Sequence, residues 1–499
     1  MSFAVVHSRA QLGIEAPAVS VEAHLANGLP SLTLVGLPET AVRESKDRVR
    51  SALQSCGFDF PNRRITLNLA PADLPKDGGR FDLAIALGLL VASGQADGSA
   101  LSHVECLGEL ALSGGLRPVS GVLPAALAAR AAGRALLVPR ANAAEASLAS
   151  GLTLYAADHL LEIAAHLNNQ RPLQPWQASG LAVQSAEYGD IADVQGQIAA
   201  KRALLVAAAG RHNLLLSGSP GTGKTLLASR LPGLLPPLTE NEALEVAAIH
   251  SVAGAAPLSG WPLRPFRQPH HSASAAALVG GGSRPRPGEI TLAHHGVLFL
   301  DELPEFPRGV LEVLREPLES GEIVIARARD RVRFPARFQL VAAMNPCPCG
   351  YLGDPEQRCR CSPEQVQRYR ARLSGPLLDR IDLHLSVRRE PTRLQHPERT
   401  SSSHEWAQQV AAAQARQLTR QGCVNAHLDL NGVRAYCVLS ESDRQWLESA
   451  GERLRLSLRA LHRVLKVART LADLDNQTTL QRPHLAEALQ YRVPQEGQV

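Results

Sequence analysis

The chain has 499 residues, too many for one compact core, and its 45% apolar and 20% charged content is that of a soluble protein of two or three domains. Its net charge of +5 is too weak to argue for nucleic acid by itself, and eight Cys in this length do not form a disulfide framework. The start lacks a secretory signal and the most apolar window, Phe81 to Ser93, is too short for a bilayer and carries Asp82, so a cytoplasmic location is expected.

Residues 1–170 alternate strand and helix patterns. Strands are expected at Val19 to Ala23, Leu32 to Val35 and Arg64 to Leu69, and helices at Glu39 to Ser55, Phe81 to Val91 and Pro124 to Ala132. This is an α/β domain of its own. A linker is expected over 171–192, where Pro172, Pro175 and Gly180 interrupt any periodicity. A second α/β pattern fills 193–390, with strands at Asn213 to Ser217, Gly296 to Leu300 and Gln339 to Ala343. The polar stretch Pro391 to Ser403 opens a helical region, 391–499, in which Leu454, Leu458, Leu461 and Leu465 fall on one stripe.

The second α/β pattern carries the chemistry. Gly218, Ser219, Pro220, Gly221, Thr222, Gly223, Lys224 and Thr225 form a glycine-rich turn between an apolar strand and a helical segment. That is the context of a P-loop: glycines let successive N–H groups face phosphates, and the helix start adds partial positive charge. Lys224 is placed to reach the β- and γ-phosphates of ATP, and Thr225 to bind Mg²⁺. A second apolar strand ends in Asp301 and Glu302. Asp301 suits Mg²⁺, and Glu302 the polarisation of an attacking water. A third strand ends in Asn345, whose amide can position that water or touch the γ-phosphate without adding charge.

These three strand ends resemble the Walker A, Walker B and sensor 1 motifs of the AAA+ family. Longer strings narrow the resemblance. Asp193-Val-Gln-Gly-Gln, Arg267-Gln-Pro-His-His-Ser, Ala343-Met-Asn-Pro-Cys-Pro-Cys-Gly and Leu377-Leu-Asp-Arg-Ile-Asp382 are similar to the magnesium-chelatase-related clade, and the whole chain to its YifB/ComM family. The resemblance implies an AAA+ core followed by a helical lid. It also implies that Arg380 is an arginine finger reaching a neighbouring subunit's ATP, the alternative being a salt bridge to Asp379 or Asp382. Arg459 matches the sensor 2 arginine, with Arg455 and Arg463 as rivals one turn either side.

The N-terminal domain resembles the Lon-protease fold, with departures. Arg80 stands where the nucleophilic serine would fall and Leu123 where the catalytic lysine would, so the Ser–Lys dyad is missing and a scaffold or nucleic-acid role is expected instead.

Arg327, Arg329, Arg331 and Arg333 recur at every second residue in a segment that resembles the presensor 1 hairpin. That spacing suits sequence-independent phosphate contact in a ring's pore, or else a solvated basic ribbon. Arg264, Arg267, Arg284 and Arg286 mark the Pro- and Gly-rich insertion Val252 to Ile290 as a second expected pore element. Pairs His270–His271 and His294–His295 lack Cys at ligand spacing and are read as packing or hydrogen-bonding groups. Cys347, Cys349, Cys359 and Cys361 form two C-x-C pairs that could complete a Zn²⁺ shell, or remain four reduced thiols.

The family resemblance implies a hexameric ATP-driven DNA translocase that promotes branch migration in homologous recombination during natural transformation. A magnesium-chelatase-type motor subunit and a protease-associated unfoldase are the alternatives. The unfoldase fits least, because its pore usually grips substrate with an aromatic residue and this hairpin offers arginine.

Overall fold

The computed structural model describes residues 2–177, 188–255, 261–282, 285–326, 331–353, 356, 358–389 and 401–492. The chain divides into two compact units. One comprises Met1–Val183, Ala243–Trp261 and Ala326–Arg333; the other comprises Gln184–Glu242, Pro262–Ile325 and Phe334–Val499. Among the described residues no helix is long and apolar enough to cross a membrane.

The first unit is built on a seven-stranded mixed sheet. Its order is Ser31–Val35, Arg64–Ala70, Ala18–Ala26, Phe3–Arg9, Val104–Cys106, Ala135–Pro139 and Leu154–Ala157. Alternation dictates the faces: Val19, Val21, Ala23 and Leu25 point to the core while their neighbours do not. Over that face lies the helix Asp82–Ala92, apolar nearly all round and correspondingly buried. Gly88 lets it approach, since a Cβ there would meet the Ala23 methyl at 3.3 Å. The expected helix Glu39 to Ser55 is two pieces, Thr40–Arg43 and Ser45–Ser55. Arg80 is buried, donating to Gln11 Oε1 (2.6 Å) and the Ser120 carbonyl (2.5 Å), and burial pulls its guanidinium down to about 10. Leu123 is fully buried. These two positions thus serve packing.

The second unit contains a five-stranded parallel sheet, ordered Phe266–Arg267, Val297–Leu300, Gln339–Met344, Leu214–Ser217, Leu383–Ser386. Period-two alternation divides its side chains between two cores. Leu214, Leu216, Val297, Phe299, Val341 and Ala343 join the core shared with the helix Ile198–Gly210 and the C-terminal helices. Leu215, Leu298, Leu300, Leu340 and Ala342 join the core on the other face. A sheet covered on both faces is why these strands read as continuous apolar runs.

The C-terminal helices are Ser403–Gln421, Leu430–Tyr436, Glu441–Arg453, Leu458–Leu474 and Arg482–Gln490. The expected leucine stripe holds only in part: Leu461 and Leu465 pack against the core. Ser457 caps a helix that begins only at Leu458, so Leu454 and Arg455 precede it, and Leu458 is 70% exposed. The buried face is Ala460, Val464, Val467, Ala468 and Leu471. Asp382 fixes this helix to the sheet: Arg463 donates to it at 2.5 Å, and the backbone N–H of Asn213 at 2.9 Å.

Candidate nucleotide-binding site

In a parallel sheet all strands present their C-terminal ends at one edge. The strand ending in Asn345 lies between the P-loop strand and the strand ending in Asp301, so the three expected motifs emerge side by side.

The P-loop glycines have distinct reasons to be there. A Cβ on Gly218 would lie 2.3 Å from the Val387 carbonyl, while Gly221 and Gly223 adopt left-handed φ of 77° and 84°. Lys224 opens the helix Lys224–Arg230 and folds back over the loop. Its ammonium donates to the carbonyls of Gly218 (2.7 Å) and Ser219 (3.0 Å) and to Asn345 Oδ1 (3.3 Å). Burial draws it below the usual lysine range, with Asp301 and Glu302 acting the other way. A polyphosphate would replace neutral carbonyls by anionic oxygens and compensate that burial.

The Thr225 hydroxyl donates to Asp301 Oδ2 at 2.8 Å. Two hard oxygen donors this close, at the start of a helix and the end of a strand, fit a Mg²⁺ that keeps most of its waters. Glu302 occupies a left-handed backbone conformation, φ 53°, and its N–H bonds to Asp301 Oδ1 at 2.9 Å. Such a conformation costs a non-glycine residue about 1 kcal/mol and is concentrated at functional sites. Its carboxylate is half-exposed, with Oε2 3.1 Å from His271 Nδ1. His271 in turn packs on His270, ring centroids 4.1 Å apart. The sequence marked this histidine pair as hydrogen-bonding, but nothing in it identified Glu302 as the partner.

Arg380 and Arg459 lie elsewhere. Arg380 donates to the Pro376 carbonyl (2.6 Å) and pairs with Glu319 Oε1 (2.8 Å), not with Asp379 or Asp382. Arg459 pairs with the same oxygen of Glu319. Of its rivals, Arg463 is committed to Asp382, and Arg455 stands outside the helix. The Arg380 carbonyl accepts from Asn213 Nδ2 at 3.0 Å, beside the start of the P-loop strand. Both arginines therefore occupy the sheet edge opposite the P-loop. Burial and the neighbouring Arg315 and Arg463 pull the Arg380 guanidinium below its usual range, and its Nε finds no partner. Glu319 had no sequence signal, because its role depends on fold contacts with Arg380 and Arg459, both far from it in the chain.

Two of the expected pore arginines are corrected. Arg264 is buried, bonded to the carbonyls of Pro236 (2.6 Å) and His295 (2.7 Å), and Arg267 makes a two-point pair with Glu289, both bonds 2.7 Å. Arg264 ties the insertion to the carbonyls of segments flanking it, and Arg267 pairs within it while its side chain stays partly exposed. Arg284 lies outside the described residues, and Arg286 is exposed. His294 Nδ1 accepts the Arg337 N–H (3.0 Å), and His295 Nδ1 lies 3.5 Å from Glu242. Arg327 and Arg329 also lie outside the described residues, whereas Arg331 and Arg333 are exposed, alternating with buried Val332 and Phe334 on the strand Arg331–Pro335. The thiols of Cys347, Cys349, Cys359 and Cys361 converge, all four sulfurs lying within 4.8 Å of one another.

Three family models match the chain. Residues 21–142 match that described as subunit ChlI of Mg-chelatase, residues 190–394 that of magnesium chelatase, subunit ChlI, and residues 400–492 that of the ChlI C-terminal region. The chain is 52% identical to YifB of Salmonella typhimurium over 99% of its own length and 97% of that protein. It is also 52% identical to the competence protein ComM of Haemophilus influenzae, over 99% of its own length and 98% of ComM. Similarity to the magnesium-chelatase 67 kDa subunit of Heliobacterium mobile is 28% and covers 39% of the chain and 30% of that subunit.

Proposed function

This chain belongs to the YifB/ComM family of magnesium-chelatase-related AAA+ ATPases, and we propose that it is an ATP-driven DNA translocase that promotes branch migration in homologous recombination during natural transformation. The observation that carries the ATPase part is the convergence of Lys224, Thr225, Asp301, Glu302 and Asn345 at one sheet edge. In this reading the P-loop N–H groups and Lys224 hold the phosphates, and Thr225 and Asp301 hold Mg²⁺, which neutralises charge developing on the transferred phosphoryl group. Glu302, steadied by His271, takes a proton from the attacking water, and Asn345 orients that water or the γ-phosphate.

Arg380 and Arg459 cannot serve that nucleotide from the opposite edge, so they act on the nucleotide of a neighbouring subunit, which makes a ring (six subunits in this reading) the working form. The DNA part is supported by the name of the ComM relative, which aligns end to end, and by the exposed Arg331 and Arg333. A chelatase motor shares the ATPase centre and the ChlI family models, but the chelatase 67 kDa subunit is 28% identical over 39% of this chain against 52% over 99% for ComM. The deciding assay is the ATPase rate with and without branched DNA, for wild type, Glu302→Gln and Arg331→Ala/Arg333→Ala. DNA stimulation that the hairpin variant loses, with basal turnover intact, supports translocation. Turnover indifferent to every DNA form refutes it.

A further inference from the structure

We propose that Cys347, Cys349, Cys359 and Cys361 bind one structural Zn²⁺, and that this ion holds the Asn345 loop in register with the P-loop. The metal site stands on its own geometry; its effect on turnover rests on the ATPase reading above.

The sulfur spacing is that of a mononuclear tetrahedral centre. A Zn–S bond of about 2.3 Å sets the sulfurs of a ZnS₄ tetrahedron about 3.8 Å apart. Cys347 and Cys349 sulfurs are 3.4 Å apart, and each lies 3.7 Å from that of Cys359. Every pair among the four lies within 4.8 Å. A disulfide would instead draw one pair to about 2.05 Å and leave the others behind. An iron–sulfur cluster spreads its cysteines around several irons, which this compact set does not allow.

The surrounding backbone is arranged for negative sulfur. N–H groups of Tyr351 and Arg360 are directed at Cys349, that of Leu352 at Cys347 and that of Cys349 at Cys361. Outer hydrogen bonds of this kind orient metal ligands and stabilise their charge. The turn between the ligand pairs depends on Gly350, φ 84°, whose N–H bonds to the Cys347 carbonyl at 3.0 Å. With four protein sulfurs the shell is closed, so the ion is structural and not catalytic.

What the ion would hold follows from position. The described residues between Asn345 and Ser362 form neither helix nor strand, and a long loop without a core of its own needs another source of order. Only Pro346 separates Asn345 from the first ligand. The knuckle also touches the P-loop: a Cβ on Gly350 would lie 2.7 Å from Pro220 Cδ and 3.8 Å from Asn345 Cγ. Fixing the sulfurs therefore fixes both the amide that faces Lys224 and the wall against which the P-loop rests.

The test is metal analysis of the full-length protein purified from zinc-supplemented medium without chelator, followed by release with a mercurial thiol reagent. Expected are about one zinc per chain and its loss in Cys359→Ser/Cys361→Ser. Turnover should fall about 10- to 100-fold as Asn345 is displaced from its place beside Lys224, with binding of a fluorescent ATP analogue preserved. Should that variant fail to fold, chelator-stripped wild type replaces it, and turnover must return on adding zinc. Wild type that is metal-free or iron-loaded overturns the proposal, and so does full turnover in zinc-free protein. Wild type that carries zinc but hydrolyses no ATP upholds the site and overturns the ATPase reading instead.

Discussion

Two inactive variants should restore one another. Arg380 lies beside Asn213, at the start of the P-loop strand, and the P-loop begins five residues further on at Gly218. At about 3.3 Å per residue that is roughly 16 Å, beyond the span of an arginine side chain. Lys224→Ala removes the phosphate ligand of a subunit's own site. Arg380→Ala removes the cation that, in the proposed reading, the subunit lends to its neighbour, for which a loss of about 10³-fold or more is typical of an arginine finger. Each homogeneous variant should be inactive. In rings coexpressed at equal dose, an interface works when an Arg380→Ala subunit supplies the P-loop and a Lys224→Ala subunit supplies the arginine. Random assembly makes about one quarter of the interfaces competent, so independent sites give about one quarter of wild-type turnover. The assay is steady-state phosphate release from doubly tagged, tandem-purified mixed rings. Mixed rings no more active than either parent, or an Arg380→Ala protein within threefold of wild type, would refute the opposite-edge placement.

Glu302→Gln should bind ATP normally and lose about 10²- to 10⁴-fold in turnover, read by equilibrium binding and phosphate release, since only the base is removed. His271→Ala should cost about 1 kcal/mol of transition-state stabilisation, roughly fivefold in kcat with KM unchanged, and His271→Asn should recover part of it; an equal loss in KM would mean a packing role. Asp382 supplies a pH test. Burial pushes its carboxyl up, but His212 and Arg463 outweigh this and hold it well below its ordinary value of 3.8. A depressed folded value stabilises fully above about pH 3.8 and is lost as pH falls below it. Urea unfolding should therefore place Asp382→Asn about 3–5 kcal/mol below wild type at pH 7, with the gap narrowing below pH 3.8.

The parts legible in the sequence were those whose chemistry is contiguous. The P-loop is eight adjacent residues, and Asp301, Glu302 and Asn345 each follow an apolar run that could only be a buried strand. Strands that break the pattern were passed over: Phe266–Arg267 is two residues long, Leu383–Ser386 carries His384 and Ser386, and Phe3–Arg9 ends in His7, Ser8 and Arg9. The lid stripe was legible only at Leu461 and Leu465, because apolar periodicity ran through a cap and Ser457, accepting from the Ala460 N–H, sets the helix start past Leu454. Basic clustering misled for a different reason. A count of arginines does not distinguish Arg264, solvated by carbonyls, from Arg331, exposed to solvent.

The placement of charge across the sheet joins these observations. One edge gathers Lys224, Asp301, Glu302 and Asn345, a site with two carboxylates and one lysine. The opposite edge gathers Arg380 and Arg459 on the carboxylate of Glu319, while Arg315, paired with Glu312, and Glu316 line the same pocket. Arg380 and Arg459 share one carboxylate oxygen, and among the described residues the Arg380 Nε has no hydrogen-bond partner. In the proposed reading the phosphates of a second copy's nucleotide satisfy Arg380 and Arg459, which lie away from their own chain's P-loop. In the proposed reading the two edges are complementary between copies. A hydrolytic cycle split this way would fire only where two subunits meet, and would link each turnover to the geometry of an interface.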